Sequence, residues 1–131
     1  MNQSLTNSAL RQYQQVNTDA AVLSANPHRL IEMLMDGALE RLASAKGHIQ
    51  RGEIALKGEQ IGKAMDIIGG LREGLNAETG GEIAINLDNL YDYLQRRLLQ
   101  TNLNSDSAIL DEVAGLLREI KNGWSAIGDT A

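Results

Sequence analysis

Along four stretches of this chain, apolar residues return every three or four positions. That period selects amphipathic helices over strands. Leu30, Ile31, Leu34, Ala38, Leu42, Ala45 and Ile49 make the first series. Ile61, Ala64, Met65, Ile68, Leu71 and Leu75 make the second. A third series starts near Glu82 and runs to about Asn104, and a fourth follows Ser105-Asp106-Ser107 and closes near Gly128. No stretch alternates apolar and polar residues as a half-buried strand would.

The boundaries carry their own chemistry. Asn26 can cap the first helix, and Pro27 fits the first helical position, where no backbone donor is needed. Gly52 is a natural stop. The second helix is predicted over about 57–78, with Gly69-Gly70 inside it as a bend or a close helix approach. Gly80-Gly81 follows as terminator, because glycine accepts the left-handed conformation after a helix end. Four helices with short connections place consecutive partners antiparallel. The expected architecture is an all-α, antiparallel four-helix bundle over residues 26–131, preceded by an N-terminal arm over 1–25 that is mobile or forms a short helix.

The apolar faces differ in width. Ile109, Leu110, Val113, Leu116, Leu117, Ile120, Trp124 and Ile127 fall within an arc of about 120°, one ordinary core face. On the third helix, Ile83, Ala84, Leu87, Leu90, Tyr91, Leu94 and Leu98 share an arc of similar width. Ile85, Leu99 and Leu103 lie well to one side, interleaved with Asp88, Asp92 and Arg96. The first helix is broad once Met35 and Leu39 are counted, and Ile67 widens the second. A wide face has two explanations. A bundle helix touches two neighbours, or part of the face forms a groove for another chain, with polar residues setting the orientation. Pattern alone does not separate them. If a guest chain is bound, Ile85, Leu99 and Leu103 are the expected contacts, with Ile67 a weaker candidate. Tyr93, off the core arc, can bridge body and rim as amphipathic aromatics do.

The arm is rich in Asn, Gln, Ser and Thr, and its Leu10, Tyr13 and Val16 form an apolar row too short for a stable free helix. It is either a frayed end that packs one tyrosine, or a cap that covers the groove until a partner displaces it.

Composition excludes several functions. The net charge of -5 opposes nucleic-acid binding, which needs clustered Lys and Arg. The chain has no Cys, hence no disulfide framework and no thiolate chemistry. No apolar run approaches a bilayer span and the N-terminus lacks a signal pattern, so a cytoplasmic protein is expected. The only two histidines, His28 and His48, stand too far apart on one helix to share a site and read as surface residues. Neither follows a Glu at the spacing of a di-iron bundle. The glycine pairs do not continue into a phosphate loop. No nucleophile–base set is visible, so neither an enzyme nor a cofactor is expected.

Several segments resemble a known family. PHRLIEMLMDGALERLASAK, KGEQIGKAMDIIGGL, GGEIAINLDNLYDYLQRRLLQTN and LLREIKNGWSAI are similar, in order and spacing, to the flagellin export chaperones of the FliS family, from about Tyr13 to Trp124. The resemblance implies a four-helix bundle that binds newly made flagellin in the cytoplasm. It implies that the disordered C-terminal segment of flagellin folds as helices around the chaperone, one to one. It further implies delivery to a flagellar export gate protein, with Leu10 and Tyr13 in ALRQYQQV taking part in partner handling. Met35 departs from the family, which usually carries Tyr or Phe before the DGA that follows. The competing expectation is a bundle that uses its extra strip to form a weak homodimer.

Overall fold

A computed structural model describes the backbone of residues 26–75 and 77–128, and their side chains except at 77–79 and 127–128. The described residues form four helices: α1 (Pro27–Gln50), α2 (Ile54–Glu73), α3 (Ala77–Asn104) and α4 (Ser107–Gly128). Among the described residues there is no strand. The arm, with Leu10 and Tyr13, lies outside the described residues.

Helix boundaries follow local chemistry. Asn26 is extended, and its Oδ1 accepts the Arg29 amide at 2.8 Å, with Pro27 opening the first turn. Gly52 ends α1 in the left-handed region at φ 72, which glycine adopts without a Cβ clash. α2 begins three residues earlier than expected, because the Glu53 carbonyl already accepts the Lys57 amide at 2.9 Å. It also ends earlier. Gly74 donates back to the Gly70 carbonyl and closes α2 at Glu73, short of the expected 78. The residues from Ala77 belong to α3, which breaks at Gly81 (φ 53, ψ -129), a conformation that side chains oppose. Gly69 serves the close approach foreseen for it. A Cβ there would stand 3.3 Å from Gln95 Nε2, whose amide reaches the Met65 carbonyl across the α2–α3 seam.

α1 packs against α2 and α4, and α3 packs against the same two, so the four close a ring in chain order. Cross-helix pairs show the antiparallel register. Lys57 meets Asn102 and Arg72 meets Asp88 along α2–α3. Lys46 meets Asp111, Lys121 meets Asp36 and Ser125 donates to Glu32 along α1–α4. Inside the ring lie Leu34, Ala38, Leu42, Ile61, Ile68, Leu94, Leu98, Leu110, Val113 and Leu117, all essentially closed to solvent.

The broad face of α1 is used internally. Leu30, Ile31, Met33, Leu34, Met35, Ala38, Leu42 and Ala45 are all buried. Met35, the departure from the family pattern, is a core residue. At 1% exposure its unbranched, flexible thioether packs within the core cluster. The two histidines are not the surface residues expected of them. His28 is half-buried against Trp124, with ring centroids 4.7 Å apart and planes 9° from parallel. The His48 side chain is 15% exposed, its Nδ1 standing 2.9 Å from Glu53 Oε1 at the α1–α2 turn.

Candidate partner-binding surface

The inner face of α3 is narrower than its sequence predicts. Ala84, Tyr91, Leu94, Leu98 and Thr101 are buried, and Leu87 partly so. Ile83 and Leu90, placed on the core arc by period, are instead 66% and 37% exposed. Ile83 stands in the first turn after the Gly81 break, at the end of the bundle. Leu90 lies at the margin of the arc towards α4, one turn before Tyr93.

The side strip is open. Ile85, Leu99 and Leu103 are 55%, 52% and 81% exposed. Their edge of α3 faces α2, because Asp88, Asp92 and Gln95, at helical spacing from them, bond across that seam. The cross-helix pairs set Gly62 of α2 opposite Leu98 and Leu99, and nothing lies within 4 Å of where its Cβ would be. Ile54, 59% exposed, stands at the same end of the seam as Leu103. The strip therefore has an apolar cluster at one end and Ile85 at the other, about 21 Å away at 1.5 Å per residue.

Between them sits a charge network. Arg72 donates to Asp88 at 2.6 Å and to Asp92 at 3.1 Å, and Arg96 donates to Asp92 at 2.9 Å. Hydrogen bonds from Arg96 and then Arg72 hold the Asp92 carboxyl below its ordinary range. The Asp88 hydrogen bond raises the Arg72 guanidinium still further. Two cations and two carboxylates balance, so the middle of the strip is polar without net charge.

The remaining candidate residues lie elsewhere. Ile67 is fully buried and packs in the core, so it stays outside this surface. Tyr93 occupies the opposite edge of α3. Its hydroxyl donates to Glu112 of α4 at 2.6 Å, and Arg97 reaches the same carboxylate at 2.8 Å. That hydrogen bond raises the Tyr93 hydroxyl above its ordinary value, while Tyr93 and then Arg97 lower Glu112. The structure thus leaves Ile85, Leu99 and Leu103 open along one edge of α3, with Ile85 far from the other two, and puts Tyr93 on the other edge, where the Arg96 guanidinium stands 5.8 Å from its ring centre. Helical period does not reveal Ile54, because it places the start of α2 at Lys57, three residues beyond it. Asp88, Asp92 and Arg96 are legible on the strip from helical spacing, but Arg72, which joins them, is not, because it sits 16 to 24 positions before them in the chain.

Among the described residues, no group of His, Asp and Glu gathers at metal-binding distance. No described helix is long and apolar enough to cross a membrane. The arrangement is one of contact: apolar ends and a polar middle, with open space beside Gly62.

Comparison with known proteins adds a second line. The family profile described as "Flagellar protein FliS" matches residues 9–131. The chain is 56% identical over 119 residues to the flagellar secretion chaperone FliSB of Pseudomonas aeruginosa, covering 91% of this chain and 94% of that protein. It is 49% identical over 127 residues to the flagellar secretion chaperone FliS of Salmonella typhimurium, covering 96% and 94%. The corresponding protein of Bacillus subtilis is 33% identical over 104 residues, covering 79% and 77%.

Proposed function

This chain belongs to the FliS family of flagellar proteins, and from that premise we propose that it is a flagellar secretion chaperone. It holds the disordered C-terminal segment of flagellin in the cytoplasm, one to one, so that subunits do not polymerise before export. It then hands them to an export gate protein. The observation that carries this reading is the open strip Ile85, Leu99 and Leu103 on a bundle whose core is already filled. The family is one of chaperones, not of enzymes.

The physics is sufficient without chemistry. A disordered amphipathic segment loses conformational freedom on docking, a cost of roughly 2–5 kcal/mol. Removing apolar surface from water returns ~25 cal/mol per Å², so burial of a few hundred Å² offsets it. The balanced charges between the apolar clusters set direction more than affinity. No bond is made or broken, and release needs only a competing pull at the export machinery.

A synthetic peptide covering the C-terminal segment of the cognate flagellin should form a one-to-one complex with a gain of helical circular dichroism. Replacing Leu99→Asp and Leu103→Asp together should weaken that complex at least ~100-fold, as loss of two apolar anchors does, and leave the bundle folded. A peptide that binds equally well to the double variant would move the site elsewhere. Sedimentation of the chain alone distinguishes the other occupant of the strip, a second copy. Concentration-dependent association that the same double substitution abolishes would favour it.

A further inference from the structure

The described residue least accounted for by the bundle or the strip is Lys57. Its side chain is buried, only 3% of the residue being exposed, and its ammonium has two neutral acceptors: the Asn102 carbonyl at 2.8 Å and Ser105 Oγ at 3.1 Å. A buried lysine is ordinarily matched to a carboxylate. Here the last turn of α3 takes that part. Asn102 O is among the four carbonyls a helix end leaves without an internal partner, and that end carries partial negative charge.

The clamp closes on a tightly built turn. Ser105 is the one non-glycine described residue in the left-handed region, at φ 55. Its amide donates to Thr101 O at 2.7 Å, and Thr101 Oγ1, fully buried, donates to Asp106 O at 2.6 Å. Leu103 lies between the two residues Lys57 holds. It is the most exposed large apolar side chain described, at 81%, carried on backbone that these hydrogen bonds hold on both sides. An apolar side chain held fixed before binding loses less freedom when a partner covers it.

We infer that Lys57 is a positioning residue for partner recognition: by clamping Asn102 and Ser105 from α2, it presents Leu103 to an incoming chain. The inference rests on the chaperone reading and deepens it, since it assigns a buried residue that touches no partner a part in binding one.

A double-mutant cycle tests it, with the cognate flagellin C-terminal peptide as probe and calorimetry as readout. The temperature is set well below every unfolding midpoint, where lost stability alone leaves Kd unchanged. Leu103→Ala and Lys57→Met should each raise Kd about 10-fold. In the Leu103→Ala background, Lys57→Met should change Kd by less than about twofold, because its effect passes through that side chain. Hydrogen exchange at the amides of 103–106 should quicken in Lys57→Met. If Leu103→Ala weakens binding and Lys57→Met does not, the inference falls while the chaperone surface stands. Effects that multiply to about 100-fold in the double variant also overturn it, since the lysine would then act independently of Leu103. An unchanged Kd for Leu103→Ala removes the surface reading and this inference with it. Should Lys57→Met fail to fold, Ser105→Ala takes its place in the same cycle and must meet the same criterion.

Discussion

Trp124 fastens the start of α1 to the end of α4. Its indole N–H donates to the His28 carbonyl at 3.0 Å while its ring stacks on the His28 imidazole. Period alone put Trp124 on a core face but said nothing of its partner 96 residues away. Trp124→Phe keeps an aromatic surface and removes the donor. It should cost about 1 kcal/mol, the net worth of one such hydrogen bond, in urea unfolding followed by circular dichroism. A larger contrast separates core from rim. Leu34, fully buried, should lose about 3 kcal/mol on change to Ala, from lost transfer energy and a residual cavity. Leu103→Ala should stay within about 0.5 kcal/mol of the parent, because that side chain is already in water. A Leu103→Ala protein as unstable as Leu34→Ala would place the rim in the core.

At the scale of the element, α3 stands apart from its neighbours. α1 uses its broad apolar face to touch both α2 and α4, and α2 turns Ile67 inward as well. α3 turns only one narrow arc inward, and polar bonds line both of its seams: Arg72 and Gln95 towards α2, Glu112 with Tyr93 and Arg97 towards α4. Its first turn is broken from the rest at Gly81, whose backbone (φ 53, ψ -129) lies where a Cβ is strained. Gly81→Ala should therefore destabilise the bundle by about 2 kcal/mol, read from the shift of the urea midpoint at constant slope. An unchanged midpoint would mean the break can be made in another conformation.

Across the whole molecule, carboxylates stitch neighbouring helices at the surface. Glu32 is lowered chiefly by the Ser125 hydroxyl, Asp92 by Arg96, and Glu112 by Tyr93. A carboxyl whose folded value is depressed stabilises the fold above its unfolded value, and that stability fades as pH falls through the folded one. The ordinary values here are 3.8 for Asp92 and 4.5 for Glu32 and Glu112. The thermal midpoint should thus be level near neutrality and begin to fall once pH drops below the glutamate value. High salt should flatten only the part of the low-pH slope that comes from the arginines beside Asp92 and Glu112, since exposed charge pairs are screened and hydroxyl hydrogen bonds are not. A midpoint unchanged down to about pH 3 would mean the stitches add nothing to the fold.

The helical period, the caps at Asn26 and Gly52, and the ring order are local facts. Each depends on residues within a turn or two, or on connections too short to allow another partner, so the bundle could be read from the chain. Which wide face is surplus is not local. Met35, Ile67 and Ile85 all widen their helices in the same manner, yet the first two are buried and the third is open. A side chain's exposure depends on whether a neighbouring helix lies above it, and helical spacing does not encode that. The same holds for Lys57, which reads as an ordinary polar position. Only the packing of α2 against the end of α3 makes it a buried clamp, because its acceptors are backbone and hydroxyl groups 45 and 48 residues further on.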